Sequence, residues 1–445
     1  MINMCSLNIL LKHMYRKNLK NYSWAKIARK LYLAIYFKWN DNNSHALKQC
    51  TKISFQLCAL EDFAKNKNSQ RTLLLGREFI KSSKPIVFGY NAQLLNTDQE
   101  VTLSIPQICL MEIRNAIVMS RAELLIVEKF VLYPSILNIK RDVTPQEEIG
   151  LSEIDDSGNL IKLSSSMPIR KIKYAISLIG QCSGNYAHWL TETLPKLALV
   201  SNIEKYRDAP IIVDDSVHPN LIESAKIIGG PNRKIYYLSH WHGIEVSCLV
   251  YIDPTGYVPV RTRESNCLNA VPFPSPEFFI FSKDALKALR TTVFSNLAIN
   301  QSISGANRKF FLKRTRSNSS NGRILVNQDD IEEAAKKFGF EIIELENMSF
   351  SDQVLLFNKA KIVVGPVGAS LCNAVFVPKG GIIVGLAPYY ENANGYYFAN
   401  LMAALEKNFV FLLGKQVNTD GFIVHRDYEI SVLDFETLIS TILSE

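Results

Sequence analysis

The stretch NQDDIEEAAKKFGFEIIEL, residues 327–345, decides how the fold is read. It reads as a helix followed at once by a strand. Asn327 is the expected N-cap, with Asp330 three residues on and Gly339 near the C-cap. The same alternation continues on both sides. RKFFLKR (308–314) reads as a strand, SFSDQVLLFNKA (349–360) as a helix with Ser349 and Asp352 spaced like a capping box, and KIVVG (361–365) as a strand. ASLCNAVFV (369–377) reads as a short helix, GIIVGLAP (381–388) as a strand, YYFANLMAALE (396–406) as a helix and NFVFLLG (408–414) as a strand. Strands alternating with helices over about a hundred residues indicate a parallel, doubly wound α/β sheet. The terminal SVLDFETLISTILS (431–444) is one more amphipathic helix, expected to pack back across the first half.

The first half is less regular. PIVFGY (85–90) and AELLIVEKFVLY (122–133) read as strands, and residues 141–170 as a polar loop. YAISLI (174–179), APIIVDD (209–215), KIYYLS (234–239) and VSCLVYID (246–253) read as further strands, with a helix near 219–228. NAVPFPSPEF (269–278) holds three Pro and is the natural linker between the halves.

The whole chain of 445 residues, 47% hydrophobic and 21% charged, has an ordinary globular composition with room for two or three domains. Its eight Cys are scattered without a C-x-x-C pair, which excludes a zinc ribbon or dithiol motif and suits a reducing compartment. No signal peptide is read at the start, and no run is long enough to span a membrane. Residues 1–40 carry eight Lys or Arg and no acid, which equals the chain's whole net charge of +8. Aromatics are interleaved with them. That segment reads either as a helix for an anionic membrane surface or as a solvated appendage. Nucleic acid is not an expected partner, because no basic excess continues into the folded part. The expected location is cytoplasmic, possibly peripheral on the inner face of a membrane.

Two segments carry chemistry. In GNYAHWLTETLPKLALV (184–200), Asn185, His188, Trp189, Glu192 and Lys196 fall on one helical side, and Leu190, Leu194, Leu197 and Ala198 on the other. Pro195 is expected to kink the helix near Glu192. A carboxylate beside an imidazole at a helix start is a candidate general base, although an ordinary amphipathic helix has the same pattern. In VVGPVGASLCNAVF (363–376) a strand leads through Gly365, Pro366 and Gly368 into a helix near Ala369, with Ser370 adding a hydroxyl. Such a turn attracts phosphate, but it is neither a Walker motif nor G-x-G-x-x-G, and a plain tight turn would look alike. The basic run after Phe311 supplies Lys313, Arg314, Arg316 and Arg323 at the same sheet edge, either as a phosphate clamp or as a solvated loop.

Taken in order, these segments resemble the family 61 glycosyltransferases. That family shows N-Y-x-H-W-L-x-[DE]-x-L-P-[RK], here Asn185–Lys196, then an arginine-bearing strand end, here Arg314–Arg316, with an acidic helix start at Asn327–Asp330. It ends with G-P-H-G-A-G-L-x-N, here GPVGASLCN (365–373), where Val367 replaces the His and Ser370 the second small residue. The resemblance covers roughly residues 85–415. It implies a GT-B-like pair of Rossmann-like α/β domains facing a cleft, with segments at 1–45, 46–270, 271–420 and 421–445. It implies an inverting transferase using a nucleotide-sugar donor and a glycan or lipid-linked glycan acceptor in cell-surface polysaccharide or capsule biosynthesis, without cofactor or metal. Glu192 would be the base, with His188 orienting it. Asn185, Tyr186 and Trp189 would meet acceptor. Lys313, Arg314, Arg316, Gly365, Pro366, Gly368, Ala369, Ser370 and Asn373 would hold the donor. The competing expectation is a catalytically silent glycan- or nucleotide-binding protein on the same fold.

Overall fold

The computed structural model describes residues 53–444 apart from 68, 83, 96–99, 139–151, 155–159, 164–169, 216, 240–241, 259–275, 300–306, 315–322, 392, 420–422 and 424–425. The basic segment 1–40, most of the 141–170 loop, most of the Pro-rich linker and Arg316 therefore lie outside the described residues.

The chain is α/β, as the alternation implied. Five strands of the second half run parallel, because each is followed by a helix or turn that returns the chain to the same end. Their spatial order is Glu341–Glu344, Arg308–Lys313, Ala360–Pro366, Ile382–Pro388, Asn408–Gln416. In chain order this is second, first, third, fourth, fifth. The direction of winding therefore reverses between Arg308–Lys313 and Ala360–Pro366, and ligands collect at the carboxyl ends of strands at such a reversal.

A second reversal occurs in the first half. Ile235–Leu238, Ile211–Asp214, Arg170–Ser177 and Gly243–Ile252 lie side by side and parallel. Chain order turns back between Arg170–Ser177 and Gly243–Ile252. This sheet then continues antiparallel through Ile108–Met119 and Leu125–Val127. Met111, Ile113, Leu132, Ile172, Val246 and Leu249, from four different strands, meet in one buried cluster.

Two findings correct the simple picture of separate halves. Ile86–Gly89, from the first half, pairs parallel with Asn408–Gln416 and completes the second sheet. The terminal helix Val432–Ser444 packs on that same sheet. Its Phe435, Leu438 and Ile439 join Phe311, Ile331 and Val384, because its apolar stripe matches the open face left there. It does not cross to the first sheet.

Between the two sheets lies a single large core. Trp189, Leu190 and Leu194 of the first half share it with Phe294, Phe350 and Phe376 of the second. Among the described residues no helix is long and apolar enough to cross a membrane.

Candidate active site

The loop 178–185 leaves strand Arg170–Ser177 at the first reversal point and enters the helix at Tyr186. Asn185 caps this start, its Oδ1 accepting the Ala187 N–H at 2.9 Å. Ser183 donates to Asp214 at 2.6 Å and ties the loop to the neighbouring strand. After His188 the helix widens to a π turn over Trp189–Thr193, and α-helix resumes over Leu194–Ser201. Pro195 is the local cause. It has no N–H to give to Thr191, so the ladder slips and the Leu194 N–H reaches back to the Trp189 carbonyl. The expected kink is thus a widened turn. The Glu192 carbonyl accepts instead from Thr255 Oγ1 at 2.9 Å. Gly256 lies so close that a Cβ there would sit 3.2 Å from Glu192 Cγ.

The widened turn brings His188 and Glu192 together. His188 Nδ1 donates to Glu192 Oε1 at 2.5 Å, with the His188 side chain 7% and the Glu192 side chain 15% exposed. Both line a small polar pocket with Lys196, Pro254 and Tyr257. The structure thus brings the two candidate catalytic residues of the motif into contact.

Three sequence-based expectations on this helix change. Trp189 is fully buried, and its Nε1 donates to Ser224 Oγ at 2.9 Å. The π turn rotates it inward, so it anchors the core rather than meeting acceptor. Tyr186 is also a joint: its hydroxyl donates to Asn373 Oδ1 at 2.6 Å, stitching this helix to the second half. Lys196 is buried in the pocket and does not point to open solvent.

At the second reversal point the structure sorts the expected donor residues. Arg314 lies at the end of strand Arg308–Lys313, its Nη1 3.9 Å from where a Gly368 Cβ would be. A side chain at 368 would thus cover the guanidinium. Burial lowers the proton affinity of Arg323, and the neighbouring Arg314 cation lowers it further. Arg323 Nε is buried with no hydrogen-bond partner, and no carboxylate lies within ion-pair distance of either Arg among the described residues. Two adjacent guanidiniums with no acid to meet them are a candidate anion site. Val367, Tyr390, Asn394 and Tyr397 border the cavity that Arg323 lines.

Other residues in that set are structural. Lys313 pairs with Glu332 at 3.2 Å, so its charge is already met. Gly365 is small because a Cβ would come within 2.8 Å of Leu312 Cβ, a requirement of strand packing. Pro366 is buried at the strand end beside it. Ala369 and Ser370 open the short helix expected here, which is 3₁₀ over Ala369–Phe376. Asn373 is fully buried and bonded to Tyr186, Gln353 and the Ser370 carbonyl. Asn327 does not cap its helix: both ends of its amide bond the backbone of Ile430.

The two sites adjoin. Tyr397 borders the Arg323 cavity, and its hydroxyl lies 3.7 Å from Cys372 Sγ. Burial and the nearby Glu192 carboxylate push both groups up, Cys372 to about 12. Tyr397 thus borders the Arg323 cavity while lying in the field of Glu192, which puts the two pockets close to one another.

Residues 186–384 match the family model described as Glycosyltransferase 61. This part of the chain is a family 61 glycosyltransferase domain. The relatives agree with it. The chain is 39% identical over 80 residues to Protein O-linked-mannose beta-1,4-N-acetylglucosaminyltransferase 2 of Xenopus laevis, covering 17% of this chain and 14% of that one. The protein of the same name from Mus musculus is 33% identical over 91 residues, 20% and 16% of the two chains. That from Tetraodon nigroviridis is 29% identical over 112 residues, 24% and 19%. The match thus spans less than a fifth of the length of these relatives. The family 61 domain contains the His188–Glu192 pair, Arg314, Arg323 and the Gly365–Asn373 turn.

Proposed function

We propose that the chain is an inverting glycosyltransferase that moves a sugar from a nucleotide-sugar donor to a glycan acceptor. The observation that carries this reading is a carboxylate bonded to His188 in one pocket, with two arginines that meet no acid among the described residues beside a second pocket close by. Glu192 takes the acceptor hydroxyl proton while His188 holds the carboxylate in place. The freed oxygen attacks the anomeric carbon, and the bond to the diphosphate breaks on the opposite face. The diphosphate departs with its growing charge met by Arg314 and Arg323. We read the two reversal points, one in each sheet, as a GT-B-like arrangement in which the second half holds the donor. Nothing in this scheme requires a metal, since guanidiniums balance the leaving group.

The relatives' printed name makes an N-acetylglucosamine nucleotide the first donor to try and a mannose-bearing glycan the first acceptor. Cell-surface polysaccharide or capsule assembly, and contact of residues 1–40 with a membrane surface, remain part of the same proposal. Calorimetry with UDP, GDP, CMP and their sugars, on wild type and Arg314→Ala, tests it. A nucleotide bound by wild type and lost in the variant supports a donor site here. Absence of binding to every nucleotide refutes it, and favours the silent-protein reading that Val367 raises. Val367 presents methyls to Gly385 where the family motif has a His, and so offers no donor to a phosphate.

A further inference from the structure

No motif marks Glu123, yet it stands beside the candidate base. It lies in the turn between strands Ile108–Met119 and Leu125–Val127. That turn is fixed in place: the Arg121 N–H donates to Asp214, the same carboxylate that holds Ser183. The Glu123 carboxyl is driven against Gly180 so closely that a Cβ there would meet Oε1 at 2.3 Å. Glycine is the only residue that leaves it room. Glu123 lines the pocket of His188, Glu192 and Lys196, accepts a bond from the Gln181 backbone, and also lies in the field of Tyr251.

The enclosure therefore holds two carboxyls, Glu123 and Glu192, and one ammonium, Lys196. Two carboxylates crowded with one cation leave an excess negative charge in a poorly hydrated space, so one proton is retained. We propose that Glu123 is a positioning residue of this site, keeping that proton so that Glu192 is left as the carboxylate beside His188. This rests on the transferase reading above, and assigns the two acids different duties by environment. Burial is the main force raising the proton affinity of Glu123, and Glu192 adds to it; Lys196 and His188 oppose it. When Glu123 ionises, a second anion competes for Lys196 and His188 and faces an anionic donor.

The sign follows. An acid whose folded proton affinity is raised stabilises the fold below its ordinary value, 4.5, and that contribution is lost as pH rises through the raised value. Glu123→Gln has the shape of the protonated acid and no proton to lose. The full-length wild type, Glu123→Gln and Glu123→Asp would be compared by kcat/KM against pH, by melting temperature against pH, and by infrared spectroscopy. The expected result is that wild-type kcat/KM falls on the alkaline side and that the Gln variant moves this fall upward, gaining about threefold or more on the falling limb of the wild-type profile. Its donor KM should change less than kcat, and its melting temperature should decline less with rising pH. The infrared C=O band of a protonated carboxyl, present in wild type at about pH 7, should vanish in the Gln variant.

Superimposable pH profiles, or a uniform loss at every pH, would overturn the proposal. So would a wild type with no protonated-carboxyl band. The infrared and melting measurements need no turnover, so they decide the role of Glu123 even if no donor is ever found. Full activity in Glu192→Gln, by contrast, would sink the base assignment itself. Should Glu123→Gln fail to fold, Glu123→Asp decides the matter: a carboxyl band and an alkaline limb identical to those of wild type would overturn the proposal.

Discussion

The two strand-order reversals handle charge in opposite ways. At the first, acids are crowded together, held by a buried ammonium and an imidazole, with the helix widened to admit them. At the second, two guanidiniums stand side by side with no acid to meet them among the described residues. A carboxylate cluster supplied with its own counter-charges is equipped to exchange protons. A cationic cluster without them is equipped to hold an anion brought from outside. In the proposed transfer, the difference gives acceptor activation to one half of the molecule and leaving-group binding to the other.

The sharpest way to break that division is Glu192→Gln. Transfer should fall about a thousandfold while nucleotide affinity stays near wild type, read by turnover and calorimetry on the same sample. Equal loss of both would show that the halves do not divide the work. Next in size, Arg314→Ala or Arg323→Ala should weaken nucleotide binding by about ten- to a hundredfold, with a salt dependence that flattens in each variant. Lys313→Ala serves as the contrast. Its ammonium is already paired with Glu332, so nucleotide affinity should move by less than about twofold. The smallest effects belong to residues assigned to packing. Trp189→Phe, losing its bond to Ser224, should lower stability by about 1 kcal/mol in urea unfolding with acceptor KM unchanged. Tyr186→Phe should cost a similar amount by losing Asn373. A large rise in acceptor KM for Trp189→Phe would return that indole to the binding surface.

How much of this was legible in the sequence depended on distance along the chain. Helices and strands of the second half could be read because each is short, regular and punctuated. The His188–Glu192 pair was legible because both sit one turn apart in a single helix. Trp189 was misplaced because an ideal helical wheel assumes α spacing, and Pro195 shifts the frame. Asn327 was misread as a cap because its partner, Ile430, is remote in sequence. Glu123 gave no signal at all: its role comes from Gly180 and from an antiparallel turn that no local pattern announces. Arg323 was visible only as one cation in a basic run, and what singles it out is burial beside Arg314.

The strand Ile86–Gly89 bears on how the molecule can be handled and how it can move. It is supplied by the first half and hydrogen-bonded into the second sheet. A cut at the Pro-rich linker would therefore leave the second fragment with an unpaired edge on Asn408–Gln416, and edges of that kind invite aggregation. Neither half is a self-sufficient expression unit at that boundary. The same strand is a tether: any movement of the halves against each other must bend the chain where it enters this strand before residue 86, where it leaves after residue 89 and again near 276, which favours a small shear over a wide hinge.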